Sequence, residues 1–197
     1  MKTPFEITCV ILSGGKSSRM GEDKSLLPFS SSKTLIEYQY NRLKPYFKNI
    51  YISSKINKFD FVKIDSLILD ENKDVYSPIL ALDSIFNKLK NQKIFIITVD
   101  TPFVSIDVIS KLIEESEDYD ICIAQTEKTH NLCGVFSSNI SKTIKDMIEN
   151  DIHKIFYLIK NNKNKIIKFP NNDYFMNLNN KEEYAKSLNY INKYNDS

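Results

Sequence analysis

Three of the four glycines in this 197-residue chain fall in one stretch, Ile11-Leu12-Ser13-Gly14-Gly15-Lys16-Ser17-Ser18-Arg19-Met20-Gly21-Glu22-Asp23-Lys24-Ser25-Leu26-Leu27. Average usage would supply about fourteen glycines at this length, so backbone freedom is concentrated in one place. The apolar run Ile7 to Leu12 predicts a buried strand. The loop that leaves it carries two adjacent glycines, several hydroxyls and the cations Lys16, Arg19 and Lys24. Such a loop can bring bare N–H groups against an oxyanion, because no Cβ stands in the way. A nucleotide phosphate site is the chemistry this stretch predicts.

Spacing excludes two familiar versions of that site. A Walker A loop needs a glycine five residues before Gly15, and Val10 stands there. The dinucleotide fingerprint needs glycines at its first, third and sixth positions, and neither Gly14 nor Gly15 starts such a series. What remains resembles Gly-Gly-x-Ser-x-Arg-Met-Gly-x-Asp-Lys, the signature of sugar-nucleotide and cofactor nucleotidyltransferases. The Asp23-Lys24 ending, with Leu26-Leu27 after it, is most similar to the molybdenum cofactor guanylyltransferases, the MobA-like proteins. The plainer reading is a structural Gly-rich turn with scattered surface cations, and a match over more than ten fixed positions weighs against it.

A chain of this size suits one α/β domain, 1–197, because it buries roughly 70% of its unfolded surface. A net charge of +2 gives no global basic field, so nucleic acid is not indicated as a partner. Cys9, Cys122 and Cys133 are widely spaced in apolar runs, without C-x-x-C spacing or an even count. They read as reduced core residues of a cytoplasmic protein. No apolar run approaches the roughly 18 residues that span a bilayer, and the N-terminus lacks a signal-peptide core. No membrane partner is expected.

Periodicity then gives an order of elements. Thr34 and Glu37 have capping-box spacing ahead of a helix whose apolar face runs through Leu35, Tyr38, Leu43 and Phe47, with a break near Pro45. Strands are expected at Asn49 to Ser54 and over Val62-Lys63-Ile64 with Leu67-Ile68-Leu69, the latter ending at Asp70. Ser77-Pro78 opens a helix. The continuously apolar Ile94 to Val99 reads as a central parallel strand that delivers Asp100. Later come a helix from Ser105 to Glu115, strands at Asp120 to Ala124 and Leu132 to Phe136, and helices at Ser141 to Glu149 and His153 to Ile159. A strand at Ile166 to Phe169 and a helix at Lys181 to Tyr190 finish the chain. Alternating β and α calls for a three-layer α/β fold, a mostly parallel sheet with helices on both faces, with an antiparallel excursion in the later half. The resemblance implies the Rossmann-like nucleotidyltransferase version of it. Ligands of such sheets bind outside the carboxyl ends of the strands, so the phosphate loop, Asp70 and Asp100 share one crevice.

Asp100, in Thr98-Val99-Asp100-Thr101-Pro102-Phe103, follows the most apolar strand, where a carboxylate must be solvated, paired or metal-bound. Mg²⁺ takes one or two carboxylates plus phosphate oxygens and water. The segment resembles the family's Asp-x-Pro-Phe motif, which implies that Asp100 binds Mg²⁺ and nucleotide. The resemblance also implies that Lys24 and Arg19 hold the triphosphate, that Leu12, Ser13 and Gly14 face the base through backbone groups, and that Gly14 and Gly15 give the triphosphate backbone donors. Asp70 falls where the family has a guanosine-contacting aspartate, and either the guanine N1–H and N2–H₂ or the ribose hydroxyls are open to it. Ser53 stands where the family often has Asn, Ser13 where it usually has Ala, and Ser77 and Ala81 replace two glycines of Gly-Pro-Leu-x-Gly. On the acceptor side, His130-Asn131 resembles the family's His-Pro strand entry, and Asn177-Leu178-Asn179 its Asn-x-Asn near the C-terminus. In an extended segment Asn177 and Asn179 point the same way. His130 reads equally as a turn or core histidine.

The resemblance thus implies a Mg²⁺-dependent enzyme that joins GMP from GTP to the phosphate of molybdopterin and releases pyrophosphate. Its partners are GTP, a molybdopterin-type phosphate acceptor, and, transiently, proteins that deliver the pterin or receive the product. A relative that uses CTP or another nucleotide, and a non-catalytic nucleotide-binding module, are the alternatives. Retention of both Lys24 and Asp100 weighs against the module.

Overall fold

The computed structural model describes residues 3–15, 21–72, 74–90 and 92–195, with residues 192–195 described by backbone alone. Seven strands form one sheet in the order β3-β2-β1-β4-β6-β5-β7. They are β1 (Thr8–Leu12), β2 (Ile50–Ser54), β3 (Leu67–Leu69), β4 (Lys93–Thr98), β5 (Ile121–Gln125), β6 (Thr129–Ser137) and β7 (Asn164–Lys168). β1 runs parallel to both β2 and β4, β2 to β3, and β5 to β7, while β6 is antiparallel to both of its neighbours. From β1 the chain builds outward to β3 and then returns to place β4 on the other side of β1. That reversal opens a crevice at the carboxyl ends of β1 and β4.

The strand pleat sorts the core into two layers. Cys9, Ile11, Phe95 and Ile97 face α1 (Leu35–Leu43), α3 (Ile106–Glu114) and α6 (Lys181–Asn195). Val10, Leu12, Ile94 and Ile96 face α2 (Pro78–Lys88), α4 (Ser141–Glu149) and α5 (Ile155–Lys160). All five residues of β1 are buried, as a strand covered on both faces requires. The three-layer α/β architecture expected from alternation is present. All three cysteines are free and buried in the core. No helix among the described residues is long and apolar enough to cross a membrane.

Local chemistry sets the helix starts. Thr34 accepts the N–H of Glu37 at 3.2 Å, and the Glu37 carboxylate reaches back to the N–H of Lys33 at 3.1 Å, a capping box shifted outward by one residue. Ser77 accepts the N–H of Ile79 at 3.1 Å, with Pro78 in the first turn of α2 where its missing N–H costs nothing.

The structure corrects several boundaries. Val62-Lys63-Ile64 does not join β3: Ile64–Ser66 is a 3₁₀ turn, and β3 is only Leu67–Leu69. β4 has one parallel neighbour, β1, and one antiparallel neighbour, β6, so it is buried without being flanked by parallel strands alone. The helix expected from His153 begins at Ile155. β6 reaches back to Thr129, farther than the apolar run Leu132 to Phe136 indicates, and as an antiparallel strand it brings His130 to the ligand-binding end of the sheet.

Gly134 lies where β5 and β6 meet at a register shift between Ile123 and Ala124. A Cβ there would stand 2.8 Å from Ile123 Cα and still closer to the Cys122 carbonyl oxygen. Glycine is needed at this position because two backbones touch.

Candidate active site

The site begins in the loop after β1. The N–H of Ser13 donates to Ser53 O at 2.8 Å, which keeps the loop root in register with β2. Beyond it, a Cβ on Gly14 or Gly15 would meet nothing within 4 Å among the described residues. Neither has a positive φ, so the chain's own conformation does not demand glycine at either position. Among the described residues no backbone hydrogen bond uses either N–H. The bare backbone leaves room for something that is not protein. Gly21, by contrast, has φ +77° and needs its freedom for the turn itself. Lys16 and Arg19 lie outside the described residues.

Asp23 and Lys24 divide the work after that turn. Asp23 caps the 3₁₀ turn Lys24–Leu26 by accepting the N–H of Ser25 at 3.0 Å and its hydroxyl at 2.7 Å, and it pairs with Lys58. Burial pushes its carboxyl up, but Lys58 and Ser25 outweigh this and hold it below the usual carboxylate range. Asp23 is therefore a fixed anion that orients its neighbour. Lys24 reaches across the crevice to form an ion pair with Asp100 Oδ2. Ser13, Gly14, Gly15 and Lys24 line a narrow cleft with Val99 and the Asp23 turn.

Asp100 is held from three sides by backbone rather than by its carboxylate. Its carbonyl accepts the N–H of Leu178 at 3.0 Å. Buried Gln39 of α1 donates to the carbonyls of Thr98 at 3.3 Å and Thr101 at 3.1 Å. Arg42 clamps the Gln39 oxygen and donates to Val104 O at 2.7 Å. The turn carrying Asp100 is thus rigid before any ligand arrives, the arrangement that positioning and charge neutralisation both need.

A larger cavity of about 400 Å³ adjoins the cleft and shares Gly14 and Gly15 with it. Leu12, Ser53 and Asp70 line it, as expected, and so do Lys55 and Tyr76. Ser53 Oγ lies 3.5 Å from Asp70 Oδ1. Burial raises the Asp70 carboxyl above the usual range, opposed by Lys55 and the Ser53 hydroxyl. Lys55, only 8% exposed, donates to Val75 O at 2.6 Å and Asn72 O at 3.3 Å and sits 4.1 Å from the centre of the Tyr76 ring. It ties the segment after Asp70 over the cavity. Ser77 and Ala81 also line this wall. With φ −141° Ser77 is extended, so its backbone needs no glycine there.

A second cavity of about 400 Å³ lies at the β5 and β6 end, lined by His130, Phe175, Asn177 and Glu183 among others. The His130 ring stacks on Phe175 at 4.1 Å, and its Nε2 shares a hydrogen bond with Thr126 Oγ1 at 2.9 Å. Asn179 does not line the cavity; its N–H donates to Glu183 at 2.7 Å at the start of α6. Burial, then Lys128, lowers the His130 pKa to about 4, so the ring is neutral near pH 7. In the unfolded chain it would titrate near 6.5. Between those values the unfolded state binds more protons, and stability falls as pH drops from about 6.5 toward 4. Urea midpoints across that range should show a loss of about 1–2 kcal/mol that His130→Gln removes.

The family model described as MobA-like NTP transferase domain matches residues 9–164. The chain belongs to that family. Among its relatives, this MobA-like chain is 42% identical over 184 residues to the molybdenum cofactor guanylyltransferase of Campylobacter jejuni subsp. doylei, covering 92% of this chain and 95% of the relative. It is 30% identical over 201 residues to the molybdenum cofactor guanylyltransferase of Helicobacter pylori, covering 98% of each. Its fold matches that of the molybdopterin-guanine dinucleotide biosynthesis protein A of Archaeoglobus fulgidus at TM-score 0.77, covering 95% of this chain and all of that one. At 19% identity, that last likeness speaks for the fold alone.

Within this MobA-like site two placements differ from the sequence expectation. Ser13 lines the narrow cleft but not the larger cavity, and its N–H belongs to the sheet, so it does not face that cavity through its N–H. Asn177 and Asn179 do not share the cavity beside His130: Asn177 lines it and Asn179 does not. Lys55 and Tyr76 were not legible as site residues. The one available signal was that Lys55 sits two positions beyond Ser53, on the same face of an extended segment.

The Asp100 carboxylate fits a hard divalent cation. Oδ2 is engaged by Lys24, and no hydrogen bond reaches Oδ1 among the described residues. No cluster of three or more His, Cys, Asp or Glu stands nearby among those residues. A cation held here would draw its remaining ligands from phosphate and water, the coordination that Mg²⁺ prefers.

Proposed function

We propose that this MobA-like NTP transferase moves GMP from GTP to the phosphate of a molybdopterin-type acceptor. An oxygen of the acceptor phosphate bonds to the α-phosphorus of GTP as the bond from that phosphorus to the bridging oxygen breaks, and pyrophosphate leaves. The observation that carries this reading is one glycine pair shared between two spaces: the cleft lined by Lys24, whose ammonium pairs with Asp100, and the 400 Å³ cavity lined by Ser53 and Asp70. A triphosphate laid along Gly14 and Gly15 puts its nucleoside in the second space and its charge in the first. The guanylyltransferase names of the relatives support guanine as the base.

Each residue then has a task. Gly14 and Gly15 donate backbone N–H groups to phosphate oxygens, and Lys24 supplies positive charge beside them. Arg19, by its place in the signature, adds a second cation. Leu12 lines the nucleoside cavity, and Asp70, flanked by Ser53 and Lys55, accepts from the nucleoside. Asp100 would hold Mg²⁺, which when bound neutralises triphosphate and leaving-group charge. Asp100 and Lys24 are set before binding, so the transition state meets an organised site. His130 and Asn177 line the acceptor side, with Asn179 behind them. A phosphate monoester is largely ionised at neutral pH, so no general base is required.

The whole chain, 1–197, works as one domain in this reading. The cytoplasm, where its three unpaired thiols stay reduced, is its compartment. Proteins that deliver the pterin or receive the product meet it transiently.

Calorimetric titration with GTP, CTP, ATP and UTP, each with and without Mg²⁺, tests the assignment. GTP should bind selectively. A preference for CTP would change the product, and absence of binding by all four would end the nucleotidyltransferase reading. In the same titrations Asp70→Asn should weaken GTP binding by roughly 10–100-fold while leaving pyrophosphate binding unchanged, because only a nucleoside contact is lost.

A further inference from the structure

Three side-chain atoms are buried without a hydrogen-bond partner among the described residues: Ser13 Oγ, Ser54 Oγ and Asn131 Oδ1. Of the three residues, only Ser13 lines one of the cavities described above. It is 4% exposed, so its hydroxyl has lost bulk water and gained no protein partner in return. Buried polar groups in folded proteins are overwhelmingly satisfied, so an orphan of this kind demands a physical reason.

The surroundings of Ser13 supply one. The cleft it lines presents donors: the N–H groups of Gly14 and Gly15, which make no backbone hydrogen bond among the described residues, and the Lys24 ammonium. Asp23 accepts from Ser25 and pairs with Lys58, Asp100 pairs with Lys24 through Oδ2, and the Ser13 hydroxyl bonds to neither carboxylate. Among the described residues that hydroxyl has no acceptor, and a ligand in the cleft can bring one. Gly14 and Gly15 line both spaces, whereas Ser13 lines only the cleft, so the incoming acceptor lies on the phosphate side and not on the nucleoside side.

We infer that the Ser13 hydroxyl donates a hydrogen bond to a non-bridging oxygen of the nucleotide's phosphate chain. Ser13 is then a phosphate-binding residue through its side chain, and it is left unsatisfied in the ligand-free protein. The inference rests on the nucleotide reading above and adds to it a contact that no backbone group can replace.

Two consequences have opposite signs, and that separates this role from a structural one. Ser13→Ala removes an unsatisfied buried hydroxyl, so the ligand-free melting temperature should stay the same or rise. It also removes a donor to an anion, so the GTP dissociation constant should increase roughly 5–30-fold, with guanosine binding unchanged. The experiment is thermal melting of ligand-free wild type and S13A, followed by calorimetric titration of both with GTP and with guanosine. Three outcomes overturn the inference: unchanged GTP affinity in S13A, which leaves the hydroxyl to water; an equal loss for guanosine, which moves the contact to the nucleoside; or a ligand-free melting temperature several degrees lower, which makes the serine structural. Failure of wild type to bind GTP is a separate result, and it would remove the nucleotide reading together with this contact.

Discussion

Asp100→Ala should lower nucleotidyl transfer by about 10³-fold or more while leaving the fold in place. The large loss follows from what the carboxylate would hold. Phosphoryl-type transfers draw nearly all of their acceleration from positioning and from charge neutralisation at the transferred group, and Asp100 stands beside Lys24 with its Oδ1 unbonded among the described residues, while Asp23 is committed to Ser25 and Lys58. Preservation of the fold follows from how the turn is built. Leu178 and Gln39 bond the backbone around Asp100, not its side chain, and those contacts survive truncation. Lys24 keeps 18% of its side chain in solvent and so is not stranded as a dry charge. Asp100→Asn, which keeps the shape and removes the charge, should be nearly as impaired. Steady-state pyrophosphate release beside circular dichroism and melting curves reads both halves of the expectation. Near-normal turnover by either variant would remove the metal assignment.

Gly134→Ala should have the largest effect on stability, at least about 3 kcal/mol, read as a lower urea midpoint. Overpacking a core usually costs about 1–3 kcal/mol because side chains can move aside. Here the obstacle is backbone: the new Cβ would press on the Cys122 carbonyl and stand 2.8 Å from Ile123 Cα. Relief would require β5 to move away from β6, and those strands carry the Thr126–His130 hydrogen bond at one end. Enzymatic activity of any folded fraction should survive, since Gly134 lines neither the cleft beside Lys24 nor the larger cavity that adjoins it. A midpoint within 1 kcal/mol of wild type would contradict the close approach.

These two residues also mark what could be read in advance. Asp100 was legible because its cause is local: a continuously apolar strand must end, and a carboxylate there has few ways to be satisfied. The Thr34 and Glu37 cap and the Ser77-Pro78 start were legible for the same reason. Gly134 was visible only as the one glycine outside the loop, because its need comes from a strand more than ten residues away. The insertion of β6 between β4 and β5 had no local signal either, since an apolar run reads the same in either direction. Val62-Lys63-Ile64 passed for strand because alternation over three residues fits a 3₁₀ turn equally well.

The site divides in the same way. Lys24, Gly14, Gly15, Ser53 and Asp70 all line the two connected spaces after β1, as residues that follow parallel strands should. Lys55 has no local signal, because its placement depends on the carbonyls of Asn72 and Val75 and on the Tyr76 ring, none of them near it in sequence. The resemblance implies a shared role for Asn177 and Asn179, but only Asn177 lines the cavity beside His130, and the N–H of Asn179 donates to Glu183 near the start of α6.

In the proposed reaction the α-phosphoryl group of GTP, carrying its guanosine, passes to the phosphate of molybdopterin. The most direct measurement incubates the purified protein with molybdopterin, Mg²⁺ and GTP labelled either at the α- or at the γ-phosphate, and follows where the label goes. The α-label should appear on the pterin product in step with pyrophosphate formation, and the γ-label should appear only in pyrophosphate. γ-label on the pterin, or no transfer of either label by protein that binds GTP, would contradict the account.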